Sequence, residues 1–574
     1  METENRMKLI PEPKKIVYGV GEVNASKINW VYDSESIDER IKNAANRICK
    51  SDENGIKAYV KAGKENCESY NLKITDDCIE IVSNGIQGVF YGLQTLDQML
   101  KSGQGKLKTC EIFDEPDLAV RGFYYDVTRG RVPKVEHLKK VIDKLANFKI
   151  NMLQLYVENA FEFKEYIGIT RPENMLTAKE IQEIGTYCKE RFIEFIPSLS
   201  TFGHLYDLLQ SDRYKNLCEY ENYEPKGLYW TEKMAHHTID VSNPKSEEVI
   251  FSLIDQYAPL FNSNTFNICC DETFDLCKGK NKGLDEGEEY FKFVSKIIGH
   301  LRNKGKRVQM WADVALNYPQ KIELIRNDIE LLNWEYGEEP SEEKIKKIYD
   351  INIPQILCPG VSSLVGFIMN ISAAEKNISK MSMYAKKYNC LGMLNTAWGD
   401  FGSVSPWSGY VYGVALGAEK AWNASEKIPD SRFEEAVCFL ALDMQNENII
   451  PHMKKVSDVA GNIWSNLVGT YSAIKAGNEP KSLPEKALLY NIIDVCKDEI
   501  LFMKKYCNNS SIEDIIAAIW GTKLAAEAFL RLSGEKNCCY FDELNEWFCL
   551  YEKVWEKESK PSELFRIKDF LEGF

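Results

Sequence analysis

Short apolar runs rich in β-forming residues recur through the middle of the chain. They lie at 122–127 (GFYYDV), 151–157 (NMLQLYV), 192–196 (FIEFI), 265–270 (TFNICC), 307–311 (RVQMW), 329–334 (IELLNW), 354–358 (PQILC) and 391–396 (LGMLNT). Helix-period stretches separate most of them. Val135, Leu138, Val141, Ile142 and Leu145 line one face of the first. The stretch before the third run opens with Thr177-Ala178-Lys179-Glu180, a capping-box pattern. Strand–helix alternation of this kind predicts an α/β protein built on a (β/α)8 TIM barrel, placed at 116–427.

The flanks read differently. Near the N-terminus, Leu72-Lys73-Ile74 and Ile79-Glu80-Ile81-Val82 precede an amphipathic helix carrying Leu93, Leu96 and Leu100. This predicts a small α/β domain over 1–115, with Asp114-Glu115-Pro116-Asp117 as a linker. Beyond the barrel, helical spacing such as Phe433, Val437, Leu440 predicts an α-helical C-terminal domain over 428–574. A chain of 574 residues is too long for one hydrophobic core.

Composition narrows the partners. A formal net charge of −15 argues against nucleic acid, whose phosphates need a basic surface. The opening METENRMKLIPEPKK has no apolar signal core, and no run approaches the roughly 18 apolar residues of a membrane span. Seventeen cysteines without a C-x-x-C read as buried hydrophobes in a reducing cytoplasm. Of six histidines, His236 and His237 are the one close pair, so neither a metal site nor another cofactor is expected. The sequence gives no reading of oligomeric state.

A TIM barrel builds its site at the C-terminal ends of its strands. The ends here carry Asp126-Val127-Thr128-Arg129, Thr201-Phe202-Gly203-His204, Asp271-Glu272, Trp311-Ala312-Asp313, Trp334-Glu335 and Trp398-Gly399-Asp400. Taken singly, an Asp-Glu pair is ordinarily surface charge, a tryptophan ordinarily core, and His204 a structural histidine. Gathered at one mouth, they predict a sugar site, with aromatic faces against C–H faces and charged groups on hydroxyls. Arg121 stands at a strand start and reads as structural.

These segments together resemble a known family. RGFYYDVTR at 121–129, the run from Thr177 to His204, NICCDETFDL with the following GKNKG, and NTAWGDFG are similar to family 20 glycoside hydrolases, the β-N-acetylhexosaminidases. The N-terminal GVFYGLQTLDQML and the late Lys560-Pro561-Ser562-Glu563-Leu564 extend the resemblance. It implies exo-acting release of terminal β-linked N-acetylhexosamine from a glycan, with the substrate's own acetamide as nucleophile. Glu272 would be the acid/base and Asp271 the acetamide partner. Arg129 and Asp400 would hold outer hydroxyls, and Trp311, Trp334 and Trp398 would wall the sugar. His204 would stand beside the acid. The sequence also departs from the family. Cys269 and Cys270 replace glycines before the pair, and strand seven lacks the tyrosine that donates to the acetamide oxygen, leaving Asn395 as a candidate. A retaining glycosidase using Glu272 with Asp313 across about 5–5.5 Å, and an inactive sugar-binding relative, are the rival readings.

Overall fold

The computed structural model describes residues 7–33, 37–221, 223–235, 237–445, 447–480, 482–535 and 539–574; His236 lies outside them. β1 (Lys15–Asn24), β2 (Ile28–Tyr32), β3 (Ile56–Ala62), β4 (Tyr70–Ile74), β5 (Cys78–Ser83) and β6 (Lys106–Asp114) form a mixed sheet ordered β1-β6-β4-β5-β3-β2. Alternation sets its inner face: Ala58, Val60, Leu72, Ile74, Ile79, Ile81 and Ile112 are buried. The helices Glu39–Ile48 and Ile86–Ser102 belong to the same layer.

The segment expected to be a linker is a pinned joint. Buried Asp114 accepts hydrogen bonds from Tyr70 Oη (2.7 Å), Lys149 Nζ (3.1 Å) and Trp422 Nε1 (2.8 Å). Three donors from three parts of the chain converge on one carboxylate, so the sheet is fastened to the barrel there. Arg121 works beside it, pairing with Glu68 at 2.8 Å and donating to the carbonyls of Lys149 and Leu118. This is a stability role at the strand's starting end.

The barrel is closed and parallel: β7 (Val120–Asp126), β8 (Met152–Val157), β9 (Glu194–Leu199), β10 (Thr265–Asn267), β11 (Arg307–Trp311), β12 (Ile329–Trp334), β13 (Gln355–Cys358) and β14 (Gly392–Ala397), with β14 pairing back onto β7. Each expected run contains or overlaps one of these strands. Tyr124, Tyr156, Ile196, Cys269, Trp311, Leu332, Ile356 and Leu394 fill the interior. Below them Gln154 bridges Asn267 (2.9 Å) and Gln309 (2.8 Å), so these buried amides satisfy one another.

Two strands depart from the sequence reading by three residues at one end. β9 begins two residues later and ends three later than expected, because Phe192 takes a left-handed φ of 56° in the turn before it. β10 stops at Asn267 rather than 270, because Cys269 and Cys270 are left-handed, at φ 58° and 62°.

Beyond the barrel the described residues form seven α-helices, from Ser431–Ala441 to Leu564–Glu572. The longest, Ser510–Leu532, is buried along most of its length. Among the described residues, every cysteine is free, and no helix is long and apolar enough to cross a membrane.

Candidate active site

The turn after β10 presents the Asp-Glu pair. Side chains alternate along a strand, so neighbours face the same way only if the backbone leaves the strand. Cys269, Cys270 and Glu272 (φ 47°) do so through the left-handed region. Each such residue carries a strain of roughly 1 kcal/mol that glycine would lack. The surroundings enforce the turn: Cys269 N–H donates to Asn267 Oδ1 (2.9 Å), Tyr290 Oη to the Cys270 carbonyl (2.8 Å) and Thr201 Oγ1 to the Ile268 carbonyl (2.6 Å). A Cβ on Gly203 would stand 2.8 Å from the Asp271 carbonyl, so the β9 loop can pass beneath the pair only as glycine.

His204 joins the two carboxylates. Its Nε2 lies 3.2 Å from Asp271 Oδ2 and 3.5 Å from Glu272 Oε2. Burial disfavours the imidazolium, but Asp271 and Glu272 outweigh it and raise the histidine to about 9. Arg129 Nη2, 3.2 Å from the other ring nitrogen, works against them. Asp271 Oδ1 is buried without a hydrogen-bond partner among the described residues. It is therefore a free acceptor at the strand-end face.

Arg129 is held from both sides. Its Nη1 donates to Asp400 Oδ1 at 2.8 Å and its Nε to Glu158 Oε1 at 3.2 Å, over the rings of Tyr156 and Trp398. Burial alone would raise Glu158, but Lys233, 3.0 Å away, and Arg129 reverse this and lower it to about 2. Burial pushes Asp126 up to about 6, opposed by Arg129. Asp126 accepts the backbone N–H groups of Thr128, Arg129 and Gly399, tying the first strand end to the last.

The aromatic groups are layered. Trp311 is 1% exposed and packs edge-on against Tyr124 (5.2 Å). Trp398, 9% exposed, stands above Tyr124 and Tyr156. Trp334 is half-buried at the rim, stacked on Tyr336 at 5.2 Å.

Two expected residues sit elsewhere. Asn395 faces the outer helices, where its Nδ2 donates to the Gly413 carbonyl at 2.9 Å. Strand parity explains this, since its neighbour Leu394 points inward. Asp313 is half-buried, with its Oδ1 enclosed, and accepts the backbone N–H of Glu272 at 3.0 Å. Burial, then the nearby Asp271, push it up to about 7.

Sequence reasoning missed Tyr336, Glu158 and Lys233 as site groups. Tyr336 Oη accepts from Trp398 Nε1 at 2.7 Å. Its ring lies against Gly360, where a Cβ would approach to 2.9 Å. The signal was available: the glycine stands on the strand-seven tail, where a tyrosine was missing, and Tyr336 follows the Trp334-Glu335 strand end. Lys233 gave no signal, because it ends a short helix, Tyr229–Lys233, far in sequence from either flanking strand.

Donor atoms of His204, Asp271 and Glu272 lie within 4.8 Å of one another, the one such cluster found among the described residues that could hold a metal ion. The guanidinium beside His204 opposes a divalent cation there. A cavity of about 720 Å³ lined by Arg40, Phe192, Asn262 and Arg307 lies at the opposite end of the barrel. That is the structural face of the fold.

A closed parallel barrel with carboxylates, an arginine and tryptophans at its strand ends has the constitution of a carbohydrate-processing barrel. The chain matches the models for the glycosyl hydrolase family 20 catalytic domain, over residues 119–398, and for domain 2 of that family, over 6–115. It belongs to glycosyl hydrolase family 20. A β-hexosaminidase of Porphyromonas gingivalis is 30% identical over 286 residues, 43% of this chain and 36% of that protein. One from Akkermansia muciniphila is 26% identical over 278 residues, 42% of this chain and 55% of that protein. The matched segments thus span about a third to just over half of these relatives. Among solved structures, a β-N-acetylhexosaminidase of Bacteroides fragilis superposes with a TM-score of 0.60 at 18% identity, covering 76% of this chain and 96% of that one. A chitobiase of Flavobacterium johnsoniae gives 0.61 at 17%, covering 98% and 99%. These likenesses establish the fold.

Proposed function

We propose that this protein removes a terminal β-linked N-acetylhexosamine from a glycan, with retention, through attack by the substrate's own acetamide. The observation that carries the reading is the turned Asp271-Glu272 pair, bridged by one imidazole nitrogen and carrying a free buried oxygen on Asp271. Glu272 gives its proton to the glycosidic oxygen as the C1–O bond breaks toward the aglycone. The acetamide carbonyl oxygen closes on C1, forming an oxazolinium ring. Asp271 Oδ1 accepts the acetamide N–H, whose nitrogen gains positive charge in that step. Glu272 then takes a proton from water, which adds to C1 and reopens the ring.

The remaining groups support this reading. Arg129, Asp400 and Glu158 close the inner end of the site, which suits an exo-acting enzyme. Tyr336 replaces Asn395 as the candidate donor to the acetamide oxygen. Asp313 reaches Glu272 through its backbone from behind, so it is badly placed to act as the second carboxylate of a conventional retaining glycosidase. An exo β-N-acetylglucosaminidase of Vibrio harveyi, 18% identical, was solved with N-acetylglucosamine.

The test compares aryl β-N-acetylhexosaminides with aryl β-glucoside and β-galactoside. Turnover confined to the acetamido sugars is expected. Equal turnover of the plain hexosides overturns the reading.

A further inference from the structure

Neither family model reaches the helices after residue 398, yet two loops of the site are fastened to them. One carries Arg129, the other Asp400. They touch at glycines: a Cβ on Gly130 (φ 115°) would stand 2.4 Å from the Gly402 carbonyl.

Arg131 is the shared fixture. Its Nε donates to the Ser403 carbonyl (3.1 Å), crossing from the first loop to the second. Its Nη1 donates to Glu558 Oε2 (3.0 Å) and its Nη2 to Tyr551 Oη (3.3 Å), both on the helix Tyr540–Glu558. The same two residues also grip the second loop directly. Tyr551 Oη donates to the Val404 carbonyl (2.6 Å), and Glu558 accepts the Trp407 backbone N–H (3.3 Å). Trp464 Nε1 holds the Phe401 carbonyl (2.9 Å), next to Asp400, and Glu563 N–H holds that of Gly130 (3.1 Å), next to Arg129. The Arg131 and Glu558 side chains are each 3% exposed, so the pair is desolvated and geometrically fixed.

We propose that the C-terminal helices form part of the sugar site, with Glu558 and Tyr551 as positioning residues that set the Arg129–Asp400 grip on the outer hydroxyls. Neither residue is assigned a contact with substrate. They act through Arg131 and the loop carbonyls, on the residues flanking the grip. This rests on the function proposed above and adds a role for the helical domain: discrimination at the non-reducing end. Packing without positioning would need no converging bonds beside both binding residues.

The test uses the full chain and two variants. Glu558→Gln keeps the shape and removes the charge. Tyr551→Phe keeps the stack on Trp547 and removes the hydroxyl. kcat/KM is measured for an aryl 2-acetamido glycoside and for its 4-deoxy analogue, with Tm recorded for each protein. Wild type favours the intact sugar. The variants should lose that preference by about 10-fold or more, the scale for a binding group displaced by a fraction of an ångström to 1 Å. The 4-deoxy analogue should change much less. An unchanged preference in a folded variant, with only Tm lowered, overturns the clamp and leaves the function standing. Turnover of neither sugar by wild type removes both.

Discussion

The backbone N–H of Glu272 donates to Asp313 Oδ2 across 3.0 Å, so a carboxylate on one strand end fixes the acid/base residue on the next. The bond runs to the main chain and does not occupy the Glu272 carboxylate, which lies 3.5 Å from His204 Nε2. Asp313 Oδ1 is buried without a partner among the described residues.

Asp313 has its proton affinity raised to about 7 by burial and Asp271. A carboxyl raised in the folded state stabilises the fold below its unfolded value near 4, and that contribution is lost as pH climbs through the folded value. Asp313→Asn resembles the protonated form at every pH. Wild type and variant should have similar Tm near pH 4, and the variant should pull ahead between about pH 4 and 7. A gap that stays constant over this range would show that Asp313 does not titrate there. Glu158, lowered to about 2, has the opposite sign: its contribution is lost as pH falls below about 4.5 toward 2.

Arg129 stands between Glu158 and Asp400. Removing it strips Asp400 of its cation and leaves Glu158 with Lys233 alone, so Arg129→Ala should cost about 3–5 kcal/mol of stability as well as binding. Arg129→Lys is the sharper probe. It keeps one charge but loses the fork that reaches two partners and a sugar diol. The variant should fold, with kcat/KM falling by about 10-fold or more for one charged hydrogen bond lost. Near-normal kcat/KM in Arg129→Lys removes this residue from substrate binding.

Tyr336 Oη already accepts from Trp398 Nε1 at 2.7 Å, which leaves its own proton to give. If that proton goes to the acetamide oxygen, it orients the nucleophile toward C1, and Tyr336→Phe should lower kcat by about 10²-fold, the scale for a misplaced reacting group. The ring would remain stacked on Trp334. Unaltered kcat would return the tyrosine to a purely structural role.

The barrel was legible because each strand is a short apolar run between amphipathic helices; β11 and β12 begin and end where the apolar runs do. The site was legible as far as residues sit on strand ends, as Asp271, Trp311 and Asp400 do. It was not legible where geometry depends on departures from a strand. Cys269 and Cys270 read as two more strand residues, yet their left-handed backbone is what turns the pair. Asn395 could have been excluded from the sequence: Trp398 lies three positions away, on the opposite parity. The Glu158–Lys233 pair joins residues 75 apart in sequence, and nothing local announces it. The four N-terminal strands other than β4 and β5 went unseen; β1 is largely exposed at an edge and carries little apolar alternation.

Asp271 Oδ1 is buried and unpaired while Oδ2 is engaged by His204. A buried carboxylate oxygen without a donor is unfavourable, and an acetamide N–H would satisfy it. That hydrogen bond strengthens as the nitrogen becomes positive, so the site should bind the cyclised species more tightly than the open substrate. Trp311 and Trp398, 5.8 Å apart, flank the interior where the acetamide methyl would lie. They would hold its oxygen near C1, making the attack intramolecular and raising its effective concentration. A thiazoline mimic of the intermediate should therefore inhibit competitively and more tightly than the product sugar. Asp271→Asn should weaken the mimic and lower kcat together, while affinity for the product changes much less. Intact-mass analysis after incubation with a 2-fluoro sugar gives the opposing outcome. A stable adduct on an aspartate or glutamate would show that the protein supplies the nucleophile, and the role given to Asp271 would be wrong.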